Sequence, residues 1–352
     1  MKRFGSILTW LVLLVIALCA FSFAPAAMAS PLAAASLPMP LFGLMIVNRA
    51  TINAIFVNLK TTFNNAFTAA PAVWQKIAML VPSTSKTNDY AWLSMFPKMR
   101  KWVGEKVVKS LTAFKYSITN DDWEATVEVD RNDIEDDNLG IYAPQAQMAG
   151  FSAKQLPDEI VLELVNNAFA AKCYDEQYFC DTDHPVGNES TGGPKSVSNK
   201  GVVVLSCSTL AAAQASFGAA RTAMKKFKND DGQPLNITPD VLLVPPALED
   251  VALVLQNNER LEDGKQNPYK GTFTTVVDSR LTSDTAWFLL DTTKPVKPFV
   301  YQERKAPVFV EQTDPQADDV FMKKKFKFGA EARAAGGYGF WQLCFGSTGA
   351  GA

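Results

Sequence analysis

The sequence predicts an α+β fold. Apolar residues recur at three- and four-residue steps in 48–70 and again in 157–171, the spacing of an amphipathic helix. At 125–129 and 325–328 apolar and polar residues instead alternate one by one, the period of a half-buried strand. No heptad, internal repeat or low-complexity tail organises the chain differently.

The first 44 residues read unlike the rest. Lys2 and Arg3 precede an apolar run at 7–24, and Ala27-Met28-Ala29 follows as a small-x-small pattern, the layout of a secretory signal. Residues 31–44 form a proline-interrupted linker.

From Met45 the elements follow in order. The first helix, 48–70, carries Ile52, Ile55, Phe56, Leu59, Phe63 and Phe67 on one face, and Pro71 stops it. A short apolar piece at 74–81 and a polar loop at 83–89 come next. Residues 102–129 read as strands, with Ala125, Val127 and Val129 pointing one way. A long helix occupies 139–171, best defined from Pro157, which suits a first turn. Asp158 and Glu159 then sit where the helix dipole favours acids.

Residues 174–200 are turn-rich, and His184-Pro185 with Gly187 reads as turn chemistry. A strand is expected at 202–205. Ser208 then caps a helix with the stripe Leu210, Phe217, Ala220, Met224 and Phe227, closed by Lys225, Lys226 and Lys228. A buried strand at 241–244, a helix at 247–256 and strands at 272–277, 286–290 and 297–301 follow. Gly336-Gly337-Tyr338-Gly339 is expected to turn the chain into a last strand, 340–345.

Composition narrows the function. A chain of 352 residues that is 47% hydrophobic and 20% charged can bury a sizeable core, which excludes wholesale disorder and a fibrous repeat. A net charge of −2 gives no global basic field of the kind nucleic-acid binders carry. Five cysteines do not make a disulfide framework, and a single histidine, His184, removes most metal and general-base chemistry.

No phosphate-binding Gly-x-x-x-x-Gly-Lys-Ser/Thr, dinucleotide-binding Gly-x-Gly-x-x-Gly or Gly-x-Ser-x-Gly elbow is present. One cluster, Cys173, Cys180, Asp181, Asp183 and His184, holds zinc-type ligands or a Cys–His pair within twelve residues. Its spacing is not a usual zinc spacing, and a structural turn with His184 bonded to loop backbone is the preferred reading. The Lys323 to Lys327 run reads as a solvated strand face rather than a nucleic-acid contact. No residue is nominated as catalytic, cofactor-binding or metal-ligating, no cofactor is expected, and the chain reads as a non-enzyme.

Charge is segregated. Residues 96–116 hold six bases (Lys98, Arg100, Lys101, Lys106, Lys109, Lys115) and one acid, Glu105, whereas 120–137 hold nine acids and one base, Arg131. The blocks either pair with each other on one hairpin or face a neighbouring copy.

Met45-Ile-Val, Lys76-Ile-Ala-Met, Trp102-Val-Gly, Tyr116-Ser-Ile, Glu135-Asp-Asp-Asn-Leu-Gly-Ile-Tyr-Ala-Pro144, Cys173-Tyr-Asp-Glu-Gln and Asp183-His-Pro-Val186 together resemble the major head subunit (gpT) family of Mu-type tailed phages. The resemblance covers Met45 to about Ser347. It implies a Hong Kong 97-type phage capsid fold: an N-terminal arm at 45–95, an extended E-loop hairpin at 96–138, and a peripheral domain with a long spine helix at 139–201. An axial domain at 202–315 and C-terminal strands at 316–352, returning to the peripheral domain, complete it.

The implied role is the shell of a virion, assembled in a bacterial cytoplasm around double-stranded DNA. The implied partners are copies of itself in pentamers and hexamers, with scaffold, portal and decoration proteins, and no small-molecule substrate. The 1–44 leader has no counterpart in the family pattern, which points to a misassigned start or a gene fusion. The alternative from another class is an exported soluble binding protein or hydrolase, released after Ala29.

Overall fold

The computed structural model describes residues 49–94, 116–136, 139–187, 193–314 and 316–351. The signal-like leader, its linker and nearly all of the basic stretch 96–116 lie outside the described residues.

Helix α1 (Arg49–Ala69) forms as its apolar spacing predicts and buries Ile52, Ile55, Phe56, Leu59 and Phe63. A one-turn helix α2 (Trp74–Ile77) leads directly into strand β1 (Ala78–Pro82). Strands β2 (Thr87–Asp89) and β3 (Ser117–Thr119) pair antiparallel. Strand β4 (Asp121–Asp130) ends where the Asp130 side chain accepts the Asn132 N–H at 2.8 Å and starts the short helix α3 (Arg131–Glu135).

Helix α4 (Tyr142–Asn166) departs from expectation. Pro157 lies deep inside it rather than in its first turn, because the helical face from Tyr142 through Ala153 packs on α1 and holds the preceding turns helical. Gly150 marks the closest approach: a Cβ there would lie 2.4 Å from the Phe63 carbonyl oxygen. Asp158 is therefore not at a helix start. Its buried Oδ1 accepts the N–H groups of Val73 at 2.8 Å and Trp74 at 2.6 Å, capping α2 instead.

Strands β5 (His184–Val186) and β6 (Lys195–Val197) form a hairpin, so His184-Pro185 is a strand start and not a turn. The expected strand at 202–205 does not form, and a two-residue strand β7 (Lys200–Gly201) lies just before it. Val203 has its carbonyl taken by two side chains, Trp287 Nε1 at 3.0 Å and Ser347 Oγ at 2.7 Å, in place of a ladder. Thr209, not Ser208, caps helix α5 (Leu210–Ala213), accepting the Ala212 N–H at 3.0 Å. A π turn at Gln214–Gly218 joins α5 to α6 (Ala219–Lys225).

Strand β8 (Val241–Val244), helix α7 (Glu249–Asn257), strands β9 (Thr274–Val277) and β10 (Trp287–Leu290) follow as read. Strand β11 (Phe299–Gln312) runs far beyond its expected end, then helix α8 (Asp318–Lys323) turns the chain into β12 (Lys325–Tyr338). The expected Gly336-Gly337 turn is part of β12. Glycine is needed there for closeness: a Cβ at Gly336 would meet Ile160 and Leu164 at 2.8 Å, and one at Gly337 would meet Ile118 at 2.2 Å. A 3-10 turn at Trp341–Leu343 precedes the last strand, β13 (Cys344–Ser347).

Two main sheets result. One runs β1-β11-β12-β4 and the other β7-β13-β10-β8-β9. The largest core fills the space between the second half of α4 and the five-stranded sheet, through Phe179, Phe217, Trp287, Phe299 and Trp341. A second core lies under α1, where the edges of the Phe326 and Phe328 rings meet Phe56 at 6.4 and 6.3 Å. Each such fully buried aromatic contributes about 1.5–3 kcal/mol of transfer free energy.

Candidate assembly surface

The four-stranded sheet carries most of the described acidic block. In register, β4 sets Asp130 opposite Lys325, Glu128 opposite Lys327, Glu124 opposite Glu331 and Asp122 opposite Arg333. Lys325 pairs with Glu128, Arg333 Nε with Asp122 at 2.5 Å, and Lys305 of β11 with Glu331 at 2.9 Å. The Lys325 hydrogen bond holds the Glu128 carboxyl below its usual range, although Glu128 is solvent-exposed. The 323–327 lysines are thus counter-charges for β4. The acidic block uses part of its charge inside its own sheet, with a partner the sequence reading did not weigh.

One pairing is unfavourable. Glu124 and Glu331 face each other directly, an opposition of like charge that destabilises a ladder and that the Lys305–Glu331 pair offsets in part. Together with Glu159 of α4 they rim a cleft of about 120 Å³ floored by Ala125, Ala153, Leu156 and Ala330. The result is an acidic rim around an apolar floor.

Large apolar side chains also stand in solvent. Ile141, immediately before α4, and Met148 and Phe151 on α4 are exposed, Met148 to 67%. At the tip of the β11–β12 hairpin Phe321 and Met322 of α8 are 81% and 75% exposed. Surface apolar groups gathered in this way mark contacts with other molecules.

The cluster singled out in the sequence is only partly assembled. His184 is brought to Cys173 and to Asp175, which the sequence reading did not choose. The Cys173 thiol donates to Asp175 Oδ1 at 2.9 Å, and His184 Nδ1 lies 2.7 Å from Asp175 Oδ2. Contrary to expectation, His184 bonds side chains and not loop backbone, with Nε2 3.2 Å from Asn199 Oδ1.

Cys180 faces Cys344, with the sulfurs 3.9 Å apart. Asp181 accepts the Tyr178 and Thr182 N–H groups, and Asp183 is exposed. Asn199 and Trp341 complete the surroundings of His184. Nothing local in the sequence points to residue 341, because it arrives through tertiary packing alone.

A tetrahedral zinc ion holding sulfur at about 2.3 Å and nitrogen or oxygen at about 2.0–2.1 Å would space those ligands by about 3.3–3.5 Å. The separations of 2.7 and 2.9 Å are those of hydrogen bonds. The trio reads as a polar network.

The model of the Mu-like prophage major head subunit gpT family matches residues 52–204, 201–281 and 274–350. The major capsid protein of Escherichia phage Mu is 32% identical over 299 residues, 85% of this chain and 74% of that protein. The FluMu prophage major head subunit of Haemophilus influenzae is 32% identical over 293 residues, 83% of this chain and 71% of that protein. Among solved structures, a chain of the bacteriophage JBD30 procapsid superposes with a TM-score of 0.55 at 32% identity, covering 86% of this chain and 76% of that one.

The family match begins at residue 52, downstream of the signal-like residues 1–29. The export reading is not borne out, and neither is the exported binding protein or hydrolase. Among the described residues no helix is long and apolar enough to cross a membrane.

Proposed function

The chain belongs to the family of Mu-like prophage major head subunits, and from that premise we propose how it builds a shell. The protein is a major capsid protein of a Mu-like phage or prophage with the Hong Kong 97-type fold. It assembles with copies of itself and resides in the virion.

In our finer reading, residues 45–95 form an arm and 96–138 an outreaching hairpin. Residues 139–201 and 316–352 build the peripheral domain, and 202–315 the axial one. Rings of five and six copies enclose double-stranded DNA, with scaffold, portal and decoration proteins as further partners. We read the chain as a structural protein without an active site.

One observation carries the shell mechanism best. The acidic cleft of Glu124, Glu159 and Glu331 lies on the same chain as a stretch of six bases and one acid interleaved with Trp102, Val103, Val107, Val108 and Leu111. A donor and its acceptor borne on one chain generate a head-to-tail contact, which closes into rings when the rotation allows. Stability then comes from many moderate contacts repeated over every copy.

Electron microscopy of the purified full chain in negative stain tests this reading. Rings or closed shells are the expected outcome. Monomers persisting through a range of concentration and salt would overturn it.

A further inference from the structure

His184 is the only histidine of the chain, and its side chain is fully buried. The hydrogen-bond partners around it fix its protonation.

Asn199 Nδ2 faces three carbonyl oxygens, those of Phe179 at 2.8 Å and of Trp341 and Cys344 at 3.2 Å, and carbonyls only accept. Its Oδ1 takes the Asp181 N–H at 2.8 Å. The amide orientation follows, so the atom 3.2 Å from His184 Nε2 is an acceptor and Nε2 must carry a proton. On the other side, Nδ1 meets a carboxylate oxygen of Asp175 at 2.7 Å, which calls for a second proton.

That carboxylate is itself well supplied. Its Oδ1 accepts the Cys173 thiol at 2.9 Å and the Gln177 N–H at 3.2 Å, bonds that favour its charged form. The imidazole lies flat on Trp341, with centroids 4.0 Å apart and planes at 9°, an arrangement that favours a cation over the indole face. Phe227 meets Trp341 in a T-shaped contact, with centroids 5.5 Å apart.

We propose that His184 is buried as an imidazolium, and that its ion pair with Asp175 is a proton-held clasp fastening the C-terminal segment 341–347 to the turn region 173–199. The segment matters because β13 lies inside the five-stranded sheet, between β7 and β10. The clasp joins it to chain more than 140 residues away through Asn199 and Trp341.

The other titratable groups around the pair do not supply a competing cation. Cys173 and Tyr174 are pushed up by burial and by Asp175 itself, and so stay neutral. Cys344 is pushed up by burial and by its bond to Cys180, and the Asp181 carboxylate is engaged by Tyr178 and Thr182. The clasp is lost in acid, when Asp175 takes up a proton.

Ring-nitrogen-labelled histidine gives a single imidazole signal set in the assembled full chain. The expected result at neutral pH is two protonated ring nitrogens, both slow to exchange. One protonated and one bare nitrogen would overturn the proposal, and so would a metal-type shift of that signal on adding zinc chloride.

In Asp175→Asn the second proton should vanish, and the unfolding constant should rise on the order of a hundredfold or more. The wild-type urea midpoint should fall between neutral and acid pH by more than that of Asp175→Asn. Equal falls would sink the clasp. If the variant fails to fold, the wild-type spectrum alone decides.

Discussion

At position 158 a carboxylate lies buried against the start of a one-turn helix too short to stabilise itself. Asp158 supplies the acceptor for two amides that have no partner within α2. Asp158→Ala is expected to lose about 2–4 kcal/mol, since two buried donors lose a charged acceptor. Asp158→Asn, which keeps one oxygen, should lose less. Urea unfolding of dissociated subunits checks both.

A second expectation at this scale concerns pH. Burial would raise the Asp175 carboxyl, but hydrogen bonds from His184 and Cys173 outweigh it and hold the group below its usual range. A carboxyl lowered on folding contributes stability that is present above its unfolded value of about 3.9 and lost as pH falls through the folded one. The acid limb of the unfolding profile should therefore flatten in Asp175→Asn, measured against wild type below about pH 4.

Elements meet in two ways, by backbone closeness and by charge. Gly150 lets α4 approach α1 to a distance no Cβ can share. Gly150→Ala should force the pair apart and cost about 1–3 kcal/mol, detectable as a lowered denaturation midpoint.

We expect charge to govern the contact between copies. Pairs such as Lys305–Glu331 and Lys325–Glu128 join exposed partners, where solvent and salt screen the attraction and each contributes little. Lys305 offsets Glu331, and Glu124 and Glu159 remain as the further acids of the cleft. Reversing Lys106 and Lys109 to glutamate should leave monomer melting within about 0.5 kcal/mol of wild type, as surface changes do. It should slow or block shell formation, and Glu124→Lys with Glu159→Lys should restore it. Light scattering at low and high salt reads the rate, which salt should lower in the wild type. Unchanged kinetics in the double reversal would return these lysines to an ordinary solvated face.

For the whole molecule, function is a property of repetition. A chain beginning at Met45 should fold and assemble as the full chain does, because the family match starts at residue 52, downstream of the apolar leader. Shell counts by microscopy, compared at equal protein concentration, check this. An insoluble truncated chain would contradict it.

The sequence by itself determined what depends on neighbours along the chain. The spacing of Ile52, Ile55, Phe56, Leu59 and Phe63 sufficed for α1, and the Lys325 to Phe328 alternation for the start of β12, because burial of one face sets each period. The family motifs, being contiguous, were equally legible.

What the tertiary structure decided lies where a distant partner outweighs local preference. Pro157 reads as a helix start until α1 holds its preceding turns, and Gly336-Gly337 reads as a turn until Ile160 and Ile118 need the space. The surroundings of His184 were legible only in part, since Asn199 and Trp341 lie 15 and 157 residues along the chain from it. A hydrogen bond or a stacked ring over that span leaves no periodic trace in a sequence. The fold alone brings those groups within 4 Å of one another.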